Sequence, residues 1–65
     1  MKYDVVLKYC KEEGITVKDF ERLCDLSNGT VGKWKDGKYE PSMKNLSKII
    51  HNTGLSATYW IGGLV

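Results

Sequence analysis

The sequence predicts an all-α fold, a single compact domain of five short helices over residues 1–65, and three observations carry that prediction. Apolar residues recur at spacings of three and four in one segment after another, as a helix with one buried face requires. Glycine ends four of these five runs, and a serine or threonine stands before several of them as a cap. No segment reads as a strand, a repeat, a linker or a low-complexity tract.

The first helix covers about Lys2 to Glu13. Val6, Tyr9 and Cys10 share one face, Tyr3 and Leu7 flank it, and Gly14 is the stop. Thr16 caps the second helix, with Asp19 three residues on as the acid of a capping box. Phe20, Leu23 and Cys24 form its inward face, and Leu26 fills the turn beyond. Ser27 caps the third helix, in which Val31 and Trp34 lie three apart and pack inward. Gly37 suits a left-handed terminus, and Pro41 prevents the helix from resuming. Ser42 caps the fourth helix, whose Met43, Leu46, Ile49, Ile50 and Thr53 form a stripe that Gly54 ends. Ser56 starts the fifth, Ala57 to Ile61, which Gly62 and Gly63 stop.

Composition narrows the function classes. With 42% hydrophobic and 28% charged residues, the chain is neither a disordered tail nor a membrane protein. No apolar run approaches the roughly 20 residues that span a bilayer, and no secretion signal opens the sequence, so a cytoplasmic location is expected. Cys10, Cys24 and His51 are too few and too scattered for a zinc site, and the cysteines fall where helix periodicity calls for apolar groups. Both are expected as buried thiols in a fold that needs neither metal nor disulfide. No triad-like spacing or phosphate-cradling loop is present, so no catalytic residue, cofactor or small-molecule substrate is expected.

The net charge of +2 is unevenly spread. Five basic and six acidic residues leave positions 1–26 at −1. Lys33, Lys35, Lys38, Lys44 and Lys48 against Asp36 and Glu40 leave positions 27–65 at +3. These seven charges lie between residues 33 and 48, around the third helix, which favours a polyanion partner.

The second and third helices, joined by the short turn Asp25-Leu26-Ser27, have helix-turn-helix geometry. On the outer face of the third helix stand Asn28, Gly29, Thr30 and Lys33, small or hydrogen-bonding groups suited to base edges. Asn28 can pair with adenine N6 and N7, and Lys33 can donate to guanine O6 and N7. Gly29 and Gly32 lack side chains beside these positions and permit close backbone approach to DNA; Gly32 could instead relieve crowding beneath the second helix. A bulky residue at Gly29 is expected to block specific binding while leaving folding nearly intact.

From Val6 to Gly62 the sequence resembles the phage repressor and Cro-type (XRE-type) helix-turn-helix regulators. The matching pattern is Gly14-Ile15-Thr16, Phe20, Leu26-Ser27-x-x-Thr30-Val31-x-Lys33-Trp34, Gly37-x-x-x-Pro41-Ser42, then Leu46, Ile49, Gly54 and Ser56, kept without a gap. Cys10, Glu21 and Ser27-Asn28-Gly29-Thr30 are most similar to repressor-like regulators of Gram-positive bacteria and their phages. The resemblance implies a lambda-repressor-like DNA-binding domain. Asn28, Gly29 and Lys33 would face base edges, Ser27 and Thr30 would approach a base methyl or a phosphate, and the Gly37-Lys38-Tyr39 loop would follow the backbone.

The sequence departs from relatives at several positions. Val17 stands where they often carry a phosphate-binding glutamine and offers only its backbone N–H. Cys10 and Lys35 replace an arginine–glutamate pair, which leaves Lys35 to face solvent or phosphate. Asp36 replaces a frequent asparagine and weakens a backbone contact. Glu21 replaces the usual alanine, so the second and third helices would approach less closely.

Other residues have plainer readings. Trp34 is expected in the core, and of Trp60 and Tyr59 one closes the core. Lys44 and Lys48 read as solubilising charges on the outer face of the fourth helix, and His51 as a surface group near its C-terminus. The expected function is sequence-specific transcription regulation, a repressor binding double-stranded DNA at a palindromic operator. Its expected weak homodimer would use Trp60, Leu64 and Val65. The alternative is a protein-interaction module of the same fold, an antirepressor or antitoxin-like partner.

Overall fold

A computed structural model describes residues 3–37 and 39–61 of the chain. They form four α-helices and one 3-10 turn: α1 (Tyr3–Glu13), α2 (Val17–Leu23), the turn Val31–Trp34, α3 (Met43–Thr53) and α4 (Ala57–Ile61). The expected third helix is therefore only a short 3-10 segment, and no strand occurs among the described residues.

The start and stop chemistry follows the sequence. Thr16 Oγ1 accepts the Asp19 N–H at 3.0 Å while the Asp19 carboxylate accepts the Thr16 N–H at 3.1 Å, a complete capping box. These bonds from Thr16, helped by Arg22, hold the Asp19 carboxyl below its ordinary range. The stabilisation is present above the ordinary carboxylate range and is lost as pH falls through the lowered value. Ser42 Oγ accepts the Asn45 N–H at 3.1 Å to open α3, and Gly54, at φ +74°, closes it in the left-handed conformation.

The helices surround a core of Val6, Cys10, Phe20, Cys24, Val31, Trp34, Ile49 and Trp60. Trp60 is its largest member and is 0% exposed. Its ring lies 5.2 Å from Tyr9, 5.6 Å from Phe20 and 5.0 Å from Tyr59. Its indole N–H donates to Thr53 Oγ1 at 3.2 Å, and that hydroxyl donates to the Ile49 carbonyl. A wholly buried ring cannot line a subunit interface, so Trp60 is withdrawn as a dimer residue. Leu64 and Val65 lie outside the described residues.

Cys10 and Cys24 are buried free thiols. Burial pushes Cys24 up to about 11 and raises Cys10 as well, which keeps both protonated and unreactive at neutral pH. Two residues of the expected inward faces, Leu23 and Met43, turn outward, the latter 78% exposed, and Leu7, expected to flank its face, is exposed too. Leu23 lies at the margin of the α2 face that Phe20, Glu21 and Cys24 bury, and Met43 begins α3 beyond the stretch that the core covers.

Asp25 makes the turn after α2 at φ +58°, the left-handed region in which a Cβ is unfavourable. Lys48 of α3 fastens this turn. Its ammonium donates to the Asp25 carbonyl at 3.0 Å and lies 3.6 Å from the Asp25 carboxylate. Lys48 is thus a tie between elements rather than a solubilising charge. Asp25→Val should cost about 1–2 kcal/mol, because a β-branched residue tolerates this conformation worst. Asp25→Gly should change stability by less than about 0.5 kcal/mol, since relief of strain offsets the added freedom of the unfolded chain. Thermal unfolding of the two variants checks this, and equal melting temperatures would refute it.

Candidate nucleic-acid interface

After the Asp25 turn, Leu26 N–H donates to the Glu21 carbonyl at 2.7 Å and brings the chain back across the end of α2. Residues 27–30 then form a turn, closed by Thr30 N–H donating to the Ser27 carbonyl at 3.1 Å. Further bonds with the same three-residue reach follow: Lys33 to Thr30 at 3.2 Å, Lys35 to Gly32 at 3.4 Å and Gly37 to Trp34 at 3.1 Å. This tight winding explains why the segment is 3-10 rather than α. Two glycines, each costing about 1 kcal/mol in a helix interior, favour the same outcome.

The expected cap at Ser27 is not what starts the segment. Glu21 of α2, only 5% exposed, fills that role from a distance in sequence. Its Oε1 accepts the Gly29 N–H at 3.2 Å and its Oε2 accepts the Val31 N–H at 2.9 Å. A buried carboxylate thus satisfies amide donors at the positive end of the turn. Glu21 joins the two elements instead of merely spacing them. Its partners lie eight and ten residues away, so no local motif marks it.

Gly29 has φ +87°, and a Cβ built on it would meet nothing within 4 Å. Its immediate requirement is the left-handed backbone, which corrects the expectation that a bulky residue would leave folding nearly intact. Gly29→Val should destabilise the fold by about 1–2 kcal/mol. Chemical unfolding measures this, and an unchanged midpoint would contradict it. Gly32 also faces open space, so crowding beneath α2 does not explain it.

Val31 and Trp34 are buried, which turns the rest of the segment outward. Ser27, Asn28, Gly29 and Lys33 are exposed, and Thr30 is half-buried. Ser27, Thr30 and Lys33 line a groove of about 520 Å³ together with Tyr39, Ser42 and Asn45. Tyr39 is exposed there, and Ser42 and Asn45 bring the first turn of α3 to the same groove. Ser42 and Asn45 carry no sequence signal for this groove, because neither belongs to the helix-turn-helix segment.

Asn28 and Gly29 adjoin groove residues in sequence without lining the groove, and Val17, at the start of α2, does not line it either. Lys35 is exposed but lines a second groove of about 460 Å³, with Tyr3, Asp4 and Gly37. Lys38 lies outside the described residues. His51 is exposed in the last turn of α3. Among the described residues, no helix is long and apolar enough to cross a membrane.

No curated protein and no solved structure matched the chain. A family model described as Helix-turn-helix matches residues 6–60, from the core valine of α1 to the core tryptophan of α4. Its members are DNA-binding proteins and typically not enzymes. The buried anchors Val31 and Trp34, the polar outer positions and this match agree: the chain belongs to the Cro-type (XRE-type) helix-turn-helix family, which points to a DNA-binding transcription regulator.

Proposed function

We propose that the chain is a cytoplasmic, sequence-specific repressor that binds a palindromic operator as a weak homodimer, of phage or prophage type. The single observation that carries this reading is the division of residues 27–34. The apolar pair Val31 and Trp34 is buried, while Ser27, Asn28, Gly29 and Lys33 are exposed. A segment divided in this way can enter a major groove without exposing its core residues.

In this reading Asn28 and Lys33 contact base edges, and Gly29 lets the backbone approach them. Ser27 and Thr30 meet a base methyl or a phosphate. The Val17 N–H, Lys35, Lys38 and Tyr39 grip phosphates. Two-fold symmetry would match the palindrome, with Leu64 and Val65 as the remaining dimer candidates. Double-stranded DNA is the partner, with no cofactor and no small-molecule substrate.

Gel shift against the promoter region of the chain's own gene, with salt titration, tests this. A retarded complex that survives competition by unrelated duplex, and weakens steeply with salt, is expected. Binding to no duplex would refute the reading and favour the protein-interaction module.

A further inference from the structure

We propose that Glu21 is the positioning residue of the reading segment, its carboxylate holding the turn on which Asn28 stands. This rests on the proposed DNA-reading function. Asn28 sits between Ser27, whose carbonyl accepts the Thr30 N–H, and Gly29, whose backbone is at φ +87°. The Ser27–Thr30 bond closes the turn but leaves the Gly29 amide unheld. Glycine is the residue most free to leave such a conformation.

The Glu21 carboxylate supplies the missing restraint. It takes the N–H of Gly29 at 3.2 Å and of Val31 at 2.9 Å, on either side of Thr30. Two oxygens of one rigid group fix two amides two residues apart, and with them the peptide planes between. Because Glu21 is buried on α2, the turn inherits the position of that helix. The same bonds occupy the Gly29 and Val31 amides from within the protein. The segment therefore meets DNA with the Asn28 and Lys33 side chains rather than with its own N–H groups.

Glu21→Gln separates this role from general support. Glutamine has nearly the same shape but one acceptor oxygen, and its NH₂ would oppose an N–H. The test compares wild type and variant on an operator duplex found by site selection and on a scrambled duplex of equal length. Amide NMR spectra report the Gly29 and Val31 N–H groups.

The expected result is a folded variant in which those two amide signals shift and operator-over-scrambled preference falls about tenfold or more. Affinity for scrambled duplex should stay within about twofold, because the phosphate-facing charges are untouched. A folded Glu21→Gln with wild-type preference would overturn the inference and leave the DNA-reading function standing. A wild type that does not discriminate would overturn that function and this inference with it. If Glu21→Gln does not fold, Glu21→Asp gives the same readouts: it keeps the charge but is one methylene too short to hold both amides. Unchanged preference in Glu21→Asp would equally overturn the proposal.

Discussion

Trp60→Ala is expected to bring the chain to the edge of unfolding or past it. Removing a buried aromatic side chain costs about 3–5 kcal/mol. A domain of 65 residues has roughly 3–10 kcal/mol of stability in total, at about 0.05–0.15 kcal/mol per residue. Trp60 joins α1, α2 and α4 through its contacts with Tyr9, Phe20 and Tyr59, and it donates to Thr53 at the end of α3. Four elements therefore lose a common partner at once, and the Thr53 hydroxyl loses a donor. Urea unfolding followed by circular dichroism should show a midpoint near zero denaturant. A variant as stable as wild type, altered only in self-association, would return Trp60 to the surface role that its burial denies.

Asn28→Ala and Lys33→Ala should each cost roughly 1–3 kcal/mol on the preferred operator, about 5- to 150-fold in affinity, and relax preference at one base position. Both side chains are exposed on a segment anchored from beneath by Val31 and Trp34, so truncation removes no core contact. Lys38→Ala should behave differently. In the proposed reading Lys38 grips phosphate, so its loss should weaken every duplex about equally and lower the salt slope by roughly one. Titrations at several salt concentrations distinguish the two behaviours. Equal losses on operator and unrelated DNA for Asn28→Ala would make it a gripping residue instead.

The legible parts of this fold were those encoded locally. The Thr16–Asp19 box, the Ser42 cap and the Gly54 stop each need only residues three or four apart, and all three form as expected. The core residues Val6, Phe20, Val31, Trp34 and Ile49 follow from helical periodicity. What was not legible depends on residues distant in sequence. Glu21 takes over the start of the 3-10 segment from Ser27 through partners eight and ten residues away. Lys48 reaches the Asp25 carbonyl across 23 positions. The short length of the 3-10 segment fits Gly29 and Gly32, whose cost in a helix opposes the cap-and-stop pattern around them. Met43 fits its stripe but falls at the helix end, where periodicity does not say how far the core extends, and Leu23 sits at the margin of the face that Phe20, Glu21 and Cys24 bury.

The most direct test of the central claim, that residues 27–33 read DNA sequence, is a binding-site selection from random duplexes on wild type and Asn28→Ala in parallel. Wild type should enrich one site with two-fold symmetry, and Asn28→Ala should enrich the same site with preference lost at one position in each half. Identical base preferences for the two proteins, or no enriched site with wild type, would contradict the claim.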